Sequence, residues 1–75
     1  MTVTVKLIGP LVQACGFSEQ TFDVPEGTTS GELLGRVNLD PNRPRIVTRN
    51  GLAVGKGDAL ADGDRVVVAP IYSGG

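Results

Sequence analysis

Four groups of residues in this 75-residue chain have types and spacing that invite a chemical reading. Cys15 is the single cysteine and there is no histidine. A catalytic thiolate needs a neighbour that lowers its pKa, and the sequence offers no cause of one, so Cys15 is read as a small packing residue. Asp58, Asp62 and Asp64 cluster as calcium ligands do, but their spacing is not that of a calcium loop and the closing glutamate is missing. Turn chemistry explains Asp62-Gly63, and solvent exposure explains the other two. The run Gly51-Leu52-Ala53-Val54-Gly55-Lys56-Gly57 is one residue short of a phosphate-cradling loop, with Gly57 where a Ser or Thr would hold Mg²⁺. It reads as a hairpin with a glycine-rich exit. Arg43, Arg45 and Arg49 form a basic cluster, read first as a solvated strand face and second as a charged docking edge for a partner protein. Nucleic acid comes a distant third, because no aromatic residues are interleaved with the arginines. No catalytic residues and no metal ligands are therefore predicted. What remains is the end of the chain, Gly74-Gly75, which taken alone is a frayed terminus or a scar of cleavage.

Composition narrows the classes further. The length fits one domain, whose core is small because a chain of this size buries only about 60% of the surface its unfolded form exposes. Eight acidic residues against seven basic ones argue against a nucleic-acid or membrane-surface binder. Apolar runs such as Val66 to Ile71 are far too short to span a bilayer. Met1 to Lys6 alternates apolar and polar residues, unlike a signal peptide, which has a basic start and a continuous apolar stretch. The expectation is a cytoplasmic protein, a compartment in which a lone unpaired cysteine is comfortable.

The elements that must carry the terminus follow from periodicity. Val3, Val5 and Leu7 alternate with polar residues, which predicts a half-buried strand ended by Gly9-Pro10. Leu11 to Cys15 is expected to make a short helical turn closed by Gly16. A second strand is predicted at Glu19 to Val24. Thr29-Ser30-Gly31-Glu32 fits a capping box, followed by a helix of roughly two to three turns with Leu33, Leu34 and Val37 on one stripe. Asp40 to Pro44 reads as a loop and Arg45 to Arg49 as a third strand. Asn50-Gly51 is a tight-turn signal leading to a short return strand at Leu52 to Val54. Leu60 drops into the core before the Asp62-Gly63 turn, and Arg65 to Ala69 is the last strand, with regular pairing ending near Pro70. One helix cannot cover both faces of a sheet, so the prediction is an α+β domain whose mixed sheet packs one face on a single helix.

The stretch Leu60-Ala61-Asp62-Gly63-Asp64-Arg65-Val66-Val67-Val68-Ala69-Pro70, with a short tail ending Gly74-Gly75, resembles the MoaD/ThiS sulfur-carrier family, prokaryotic relatives of ubiquitin. Asn50-Gly51, the capped helix from Thr29, and Leu7-Ile8-Gly9-Pro10-Leu11 leading to Gly16 match as well, so the resemblance spans essentially the whole chain. It implies a β-grasp fold over residues 1–70, with the first and last strands parallel and adjacent, and a flexible tail over 71–75. It also implies a function. The Gly75 carboxylate attacks ATP inside an E1-like adenylating enzyme. A sulfur nucleophile from a donor then displaces AMP, leaving a C-terminal thiocarboxylate that gives its sulfur to an acceptor synthase. No cofactor is bound by the chain itself, and ATP is used by the partner. Glycine puts no Cβ beside the reacting carbonyl, and Gly74 lets the backbone pass a narrow channel. Ile71 to Gly75 spans roughly 17 Å when extended, at about 3.3–3.6 Å per residue, enough to reach a buried site. Ile71 and Tyr72 are expected to help seat that tail, which runs on through Ser73 and Gly74. The chain ends on the diglycine, so the expectation is a carboxylate available without proteolysis.

Strand alternation adds a partner surface. With Val66 and Val68 facing the helix, Val67 and Ala69 face outward. Placing Ile46 and Thr48 inward leaves Val47 outward, so Val47, Val67 and Ala69 are expected to form an apolar patch beside the tail. The pathway is left between a small-subunit homologue of molybdopterin synthase, favoured by the tail from Pro70 to Gly75, and a thiamine-thiazole carrier. A ubiquitin-like modifier joined through Gly75 to protein lysines is the alternative, and a binding domain with an inert tail is the third class.

Overall fold

The computed structural model describes residues 1–37, 39 and 44–71. Among the described residues, five strands and two short helices follow one another as β1 (Thr2–Leu7), α1 (Pro10–Cys15), β2 (Glu19–Asp23), α2 (Ser30–Leu34), β3 (Arg45–Arg49), β4 (Leu52–Ala53) and β5 (Arg65–Pro70). The strands form one mixed sheet in the order β2-β1-β5-β3-β4. β1 and β5 run parallel at its centre, and every other pairing is antiparallel. This is the β-grasp architecture.

The core lies on one face of the sheet. Val3, Val5 and Leu7 of β1 and Val66 and Val68 of β5 are buried there with Leu33, Leu34, Val37 and Leu60. The alternation that predicts the central strands is thus the physical basis of the sheet: a period of two sends every second side chain to the same face. Both short helices pack on that face. Leu11 of α1 is 0% exposed, so the turn after β1 is a second covering element beside α2.

The capping box predicted at Thr29 forms in full. The Thr29 hydroxyl accepts the Glu32 backbone N–H at 3.2 Å, and the Glu32 carboxylate accepts the Thr29 backbone N–H at 3.1 Å. Regular α2 covers only five residues, shorter than the spacing suggests, and the chain continues through turns to Val37, which is still buried. Gly31 stands at the crossing of α2 with the loop after β4. A Cβ there would lie 3.0 Å from the Lys56 carbonyl oxygen, to which the Gly31 N–H donates.

One expectation is reversed. Val47 pairs with Val68 and Ile46 with Ala69, so Val47 shares the inner face and packs on the core, whereas Ile46 is 50% exposed on the outer face with Thr48. Facing is set by pairing with β5, since a slip of one residue would turn every β3 side chain over. The inner face therefore also takes Arg45 and Arg49, at the two ends of the strand. Arg49 is accommodated because its guanidinium donates to the Ala59 carbonyl at 2.6 Å and lies 3.5 Å from the Asp64 carboxylate.

Candidate functional site

The groups that looked chemically active in the sequence are occupied by the fold itself. The Asp58 carboxylate accepts the Gly55 N–H, that of Asp62 accepts the Thr2 N–H, and that of Asp64 accepts the Ala61 N–H, each at 2.7 Å. Among the described residues no group of His, Cys, Asp and Glu is arranged to hold a metal ion. The glycine-rich run from Gly51 to Gly57 is a hairpin exit docked on α2. The backbone carbonyls of Gly55, Lys56 and Asp58 accept from the Ser30 hydroxyl, the Gly31 N–H and the Ser30 N–H in turn. The first amides of α2 are spent on these carbonyls and on the cap, with none turned to a phosphate. Cys15 is half-buried against the core. A hollow lined by Ser30, Leu34, Arg45, Val47, Val54 and Lys56 opens on the helix side of the sheet.

The opposite face presents a different surface. Ile8 continues β1, its N–H donating to the Val68 carbonyl at 3.0 Å, and its side chain is 39% exposed. Val67 and Ala69 of β5 are half-buried on this face, with Ile46 beside Ala69. Ile71 extends the outward row, its N–H donating to the Pro44 carbonyl at 3.4 Å and its side chain 47% exposed. Ile8, Ile46, Val67, Ala69 and Ile71 thus form a contiguous apolar patch at the end of the sheet where β5 leaves it. Lys6 pairs with Val67 at its border. Beyond Lys6, Arg65 and Glu19 are joined by an ion pair at 2.8 Å. Val67 and Ala69 are where the sequence places them. Val47 is not, and Ile46 takes its position. Ile8 is a residue that the sequence reading missed, although the alternation Val3-Val5-Leu7 already sends the next residue outward. Arg43 of the basic cluster and Tyr72, Ser73, Gly74 and Gly75 of the tail lie outside the described residues.

The start of β5 is clamped from below. Asn50, at φ 52, donates from its carboxamide nitrogen to Asp64 Oδ1 and accepts the Arg65 backbone N–H on its oxygen, both at 2.9 Å. Asp64 is 7% exposed. The Ala61 backbone N–H holds its carboxyl below the usual carboxylate range against the opposing effect of burial, helped by the Asn50 amide and the Arg49 charge. The clamp fixes where β5 enters the sheet.

Comparison with known proteins decides the family. The model of the ThiS family matches residues 5–75 of this chain. The chain belongs to the ThiS family. As a ThiS-family member it is a sulfur carrier, activated at its C-terminal glycine, and not an enzyme. Among solved structures, SAMP1 from Haloferax volcanii superposes with a TM-score of 0.82 at 28% identity over 100% of both chains. A Pyrococcus furiosus chain assigned as molybdopterin converting factor subunit 1 gives 0.82 at 24% identity, covering 96% of this chain and 99% of that one. Subunits 1 and 2 of molybdopterin-converting factor from Helicobacter pylori form a complex, one chain of which matches with a TM-score of 0.69 at 18% identity over 100% of both chains. No curated protein is a significant match to the sequence. In this ThiS-family chain the apolar patch stands next to the segment that leads to the reactive end. No helix among the described residues is long and apolar enough to cross a membrane.

Proposed function

We propose that this chain delivers sulfur as a thiocarboxylate on Gly75, and that the patch of Ile8, Ile46, Val67, Ala69 and Ile71 is the surface on which its partners dock. The observation that carries the reading is the continuity of that patch with Ile71, the first residue of the tail. A partner seated on the outer face meets the chain at Ile71, where it leaves β5. Residues 1–70 act as the handle and 71–75 as the arm. An E1-like enzyme adenylates the Gly75 carboxylate with ATP, pyrophosphate leaving. Sulfur from a donor then replaces AMP, and an acceptor synthase on the same surface takes the sulfur. The chain binds no cofactor of its own in this scheme, and it works in the cytoplasm. The tail Pro70-Ile71-Tyr72-Ser73-Gly74-Gly75 resembles that of the molybdopterin branch, which is favoured over the thiazole branch. The H. pylori complex supports a synthase-type partner, since there a chain of the same fold is assembled with a second subunit. A second reading has its own support. A Haloferax volcanii chain matched at 26% identity, over 95% of this chain and 98% of that one, is described as a small archaeal modifier protein. In that reading Gly75 is joined to lysines of target proteins.

The test is intact mass after incubation with the cognate adenylating enzyme, Mg-ATP and a sulfur donor. The protein should gain the mass of sulfur in place of oxygen. Deleting Gly75 withdraws the carboxylate by roughly 3.3–3.6 Å, and a misplacement of about 1 Å is enough to cost on the order of a hundredfold in rate. The truncated chain should fold, as read by circular dichroism, and stay uncharged. Gly75→Val should fail as well, its branched side chain crowding the attacked carbonyl. Sulfur uptake by the truncated chain at the full-length rate would refute the proposal. Lysine-linked peptides that end in Gly74-Gly75 and begin at Val66, where trypsin cuts after Arg65, would favour the modifier instead.

A further inference from the structure

Asn50-Gly51 is the single Asn-Gly pair in the chain. Such a pair is chemically vulnerable in a flexible chain. The Gly51 backbone nitrogen, having given its proton to solvent, attacks Cγ of the Asn50 carboxamide without hindrance from a side chain of its own. A C–N bond forms, the bond from Cγ to Nδ2 breaks, and ammonia leaves with a proton from solvent. Water then opens the cyclic imide to aspartate or isoaspartate. Nothing is oxidised or reduced, and water is the only co-reactant.

We infer that the fold holds this reaction shut at Asn50, so that deamidation there marks the molecules that have unfolded and hinders their return. The carboxamide is tied at both ends, its nitrogen to Asp64 Oδ1 at 2.9 Å and its oxygen to the Arg65 N–H at 2.9 Å. The Asn50 N–H is tied as well, donating to the Arg65 carbonyl at 2.8 Å. Asp64 in turn is fixed by the Ala61 N–H and lies against Arg49. Cγ is therefore held toward the start of β5, and it reaches the Gly51 nitrogen only after both carboxamide bonds break. Loss of two hydrogen bonds of ordinary net strength corresponds to a slowing of roughly tenfold or more. The product does not fit the site it leaves. A carboxylate in place of the Asn50 carboxamide has no proton to offer Asp64 Oδ1, which sets two like charges at hydrogen-bond separation. An isoaspartate adds a methylene to the backbone of a two-residue turn, whose length sets the Arg49–Leu52 register.

The experiment compares the wild-type protein in buffer and in urea at one mildly alkaline pH and one temperature. Peptide mapping by mass spectrometry follows the conversion of amide to acid at residue 50, and an isoaspartate-specific methyltransferase assay confirms the product. Deamidation in urea should be at least roughly tenfold faster than in buffer. Equal rates, or no conversion at Asn50 in urea, would overturn the inference. Asp64→Ala, checked for folding by circular dichroism, should deamidate faster than wild type in buffer, and an unchanged rate in the folded variant counts against the anchoring role of Asp64. If that variant does not fold, the comparison of wild type in buffer and urea stands by itself. For the product, Asn50→Asp should melt below wild type, and Asn50→Asp with Asp64→Asn should recover part of the loss. An Asn50→Asp protein as stable as wild type would refute the claim that the lesion hinders refolding.

Discussion

Asp64, a carboxyl at the margin of the core, is where acid should act on the fold. Its carboxyl is held below its usual value of 3.8, chiefly by the Ala61 N–H, and Glu32 is held below 4.5 by the backbone and hydroxyl of Thr29. A carboxylate whose folded pKa is depressed contributes stability that is complete above the unfolded pKa and is lost as pH falls through the folded one. The domain should therefore hold its melting temperature from neutral pH down to about the ordinary carboxylate range, and then lose stability below it. Asp64→Asn should lower the melting temperature at neutral pH and flatten the acid limb, because the titrating group is gone. Melting profiles of the two proteins that stay parallel through the acid range would show that Asp64 contributes nothing to this dependence. The same scale is where the sequence was least legible. Ile46 and Val47 are adjacent apolar residues between arginines, so alternation fits either facing, and solvation of the arginines argues for the wrong one. Pairing of Val47 with Val68 settles it, together with the Ala59 and Asp64 partners of Arg49.

At the scale of elements, legibility depends on whether the signal is local. The capping box at Thr29, the alternation of β1 and β5, and the Asn50-Gly51 turn are each complete within a few residues, and each forms where the sequence places it. The role of α1 was only half legible: the turn is local, but the burial of Leu11 depends on the sheet beneath it. α2 is too short to be stable from helix propensity, so its persistence rests on the cap and on the buried Leu33 and Leu34. Leu34→Ala should destabilise by roughly 2–5 kcal/mol, and Thr29→Ala by about 0.5–2 kcal/mol through loss of the cap. Urea unfolding of the two variants measures both. A Leu34→Ala midpoint equal to that of wild type would mean that α2 does not brace the sheet.

At the scale of the whole molecule, the candidate docking face exists only because the topology brings three distant segments together. Ile8 follows β1, Ile46 lies in β3, and Val67, Ala69 and Ile71 run along and past β5; the central position of β5 makes them neighbours. A reading of separate strands finds the β5 residues, whereas the full patch needs the sheet order and the facing of β3. Two adjacent residues on opposite faces then separate fold from function. Ile46→Asp places a charge on the exposed face, where substitutions usually change stability by no more than about 0.5 kcal/mol. Its cost should appear in binding, at roughly 1–2 kcal/mol or more if Ile46 lies near the centre of the contact. Val47→Asp puts the same charge against the core, where an unpaired carboxylate is expensive, and should unfold the domain or lower its melting temperature sharply. Calorimetric titration of each variant with the adenylating enzyme, beside its thermal melt, reads the two effects. Val67→Asp should behave as Ile46→Asp does. Cys15→Ser, half-buried against the core and away from the patch, should leave both binding and sulfur uptake nearly intact. If Ile46→Asp and Val67→Asp bind with wild-type affinity while remaining folded, the partners dock elsewhere and the outer face is an ordinary surface.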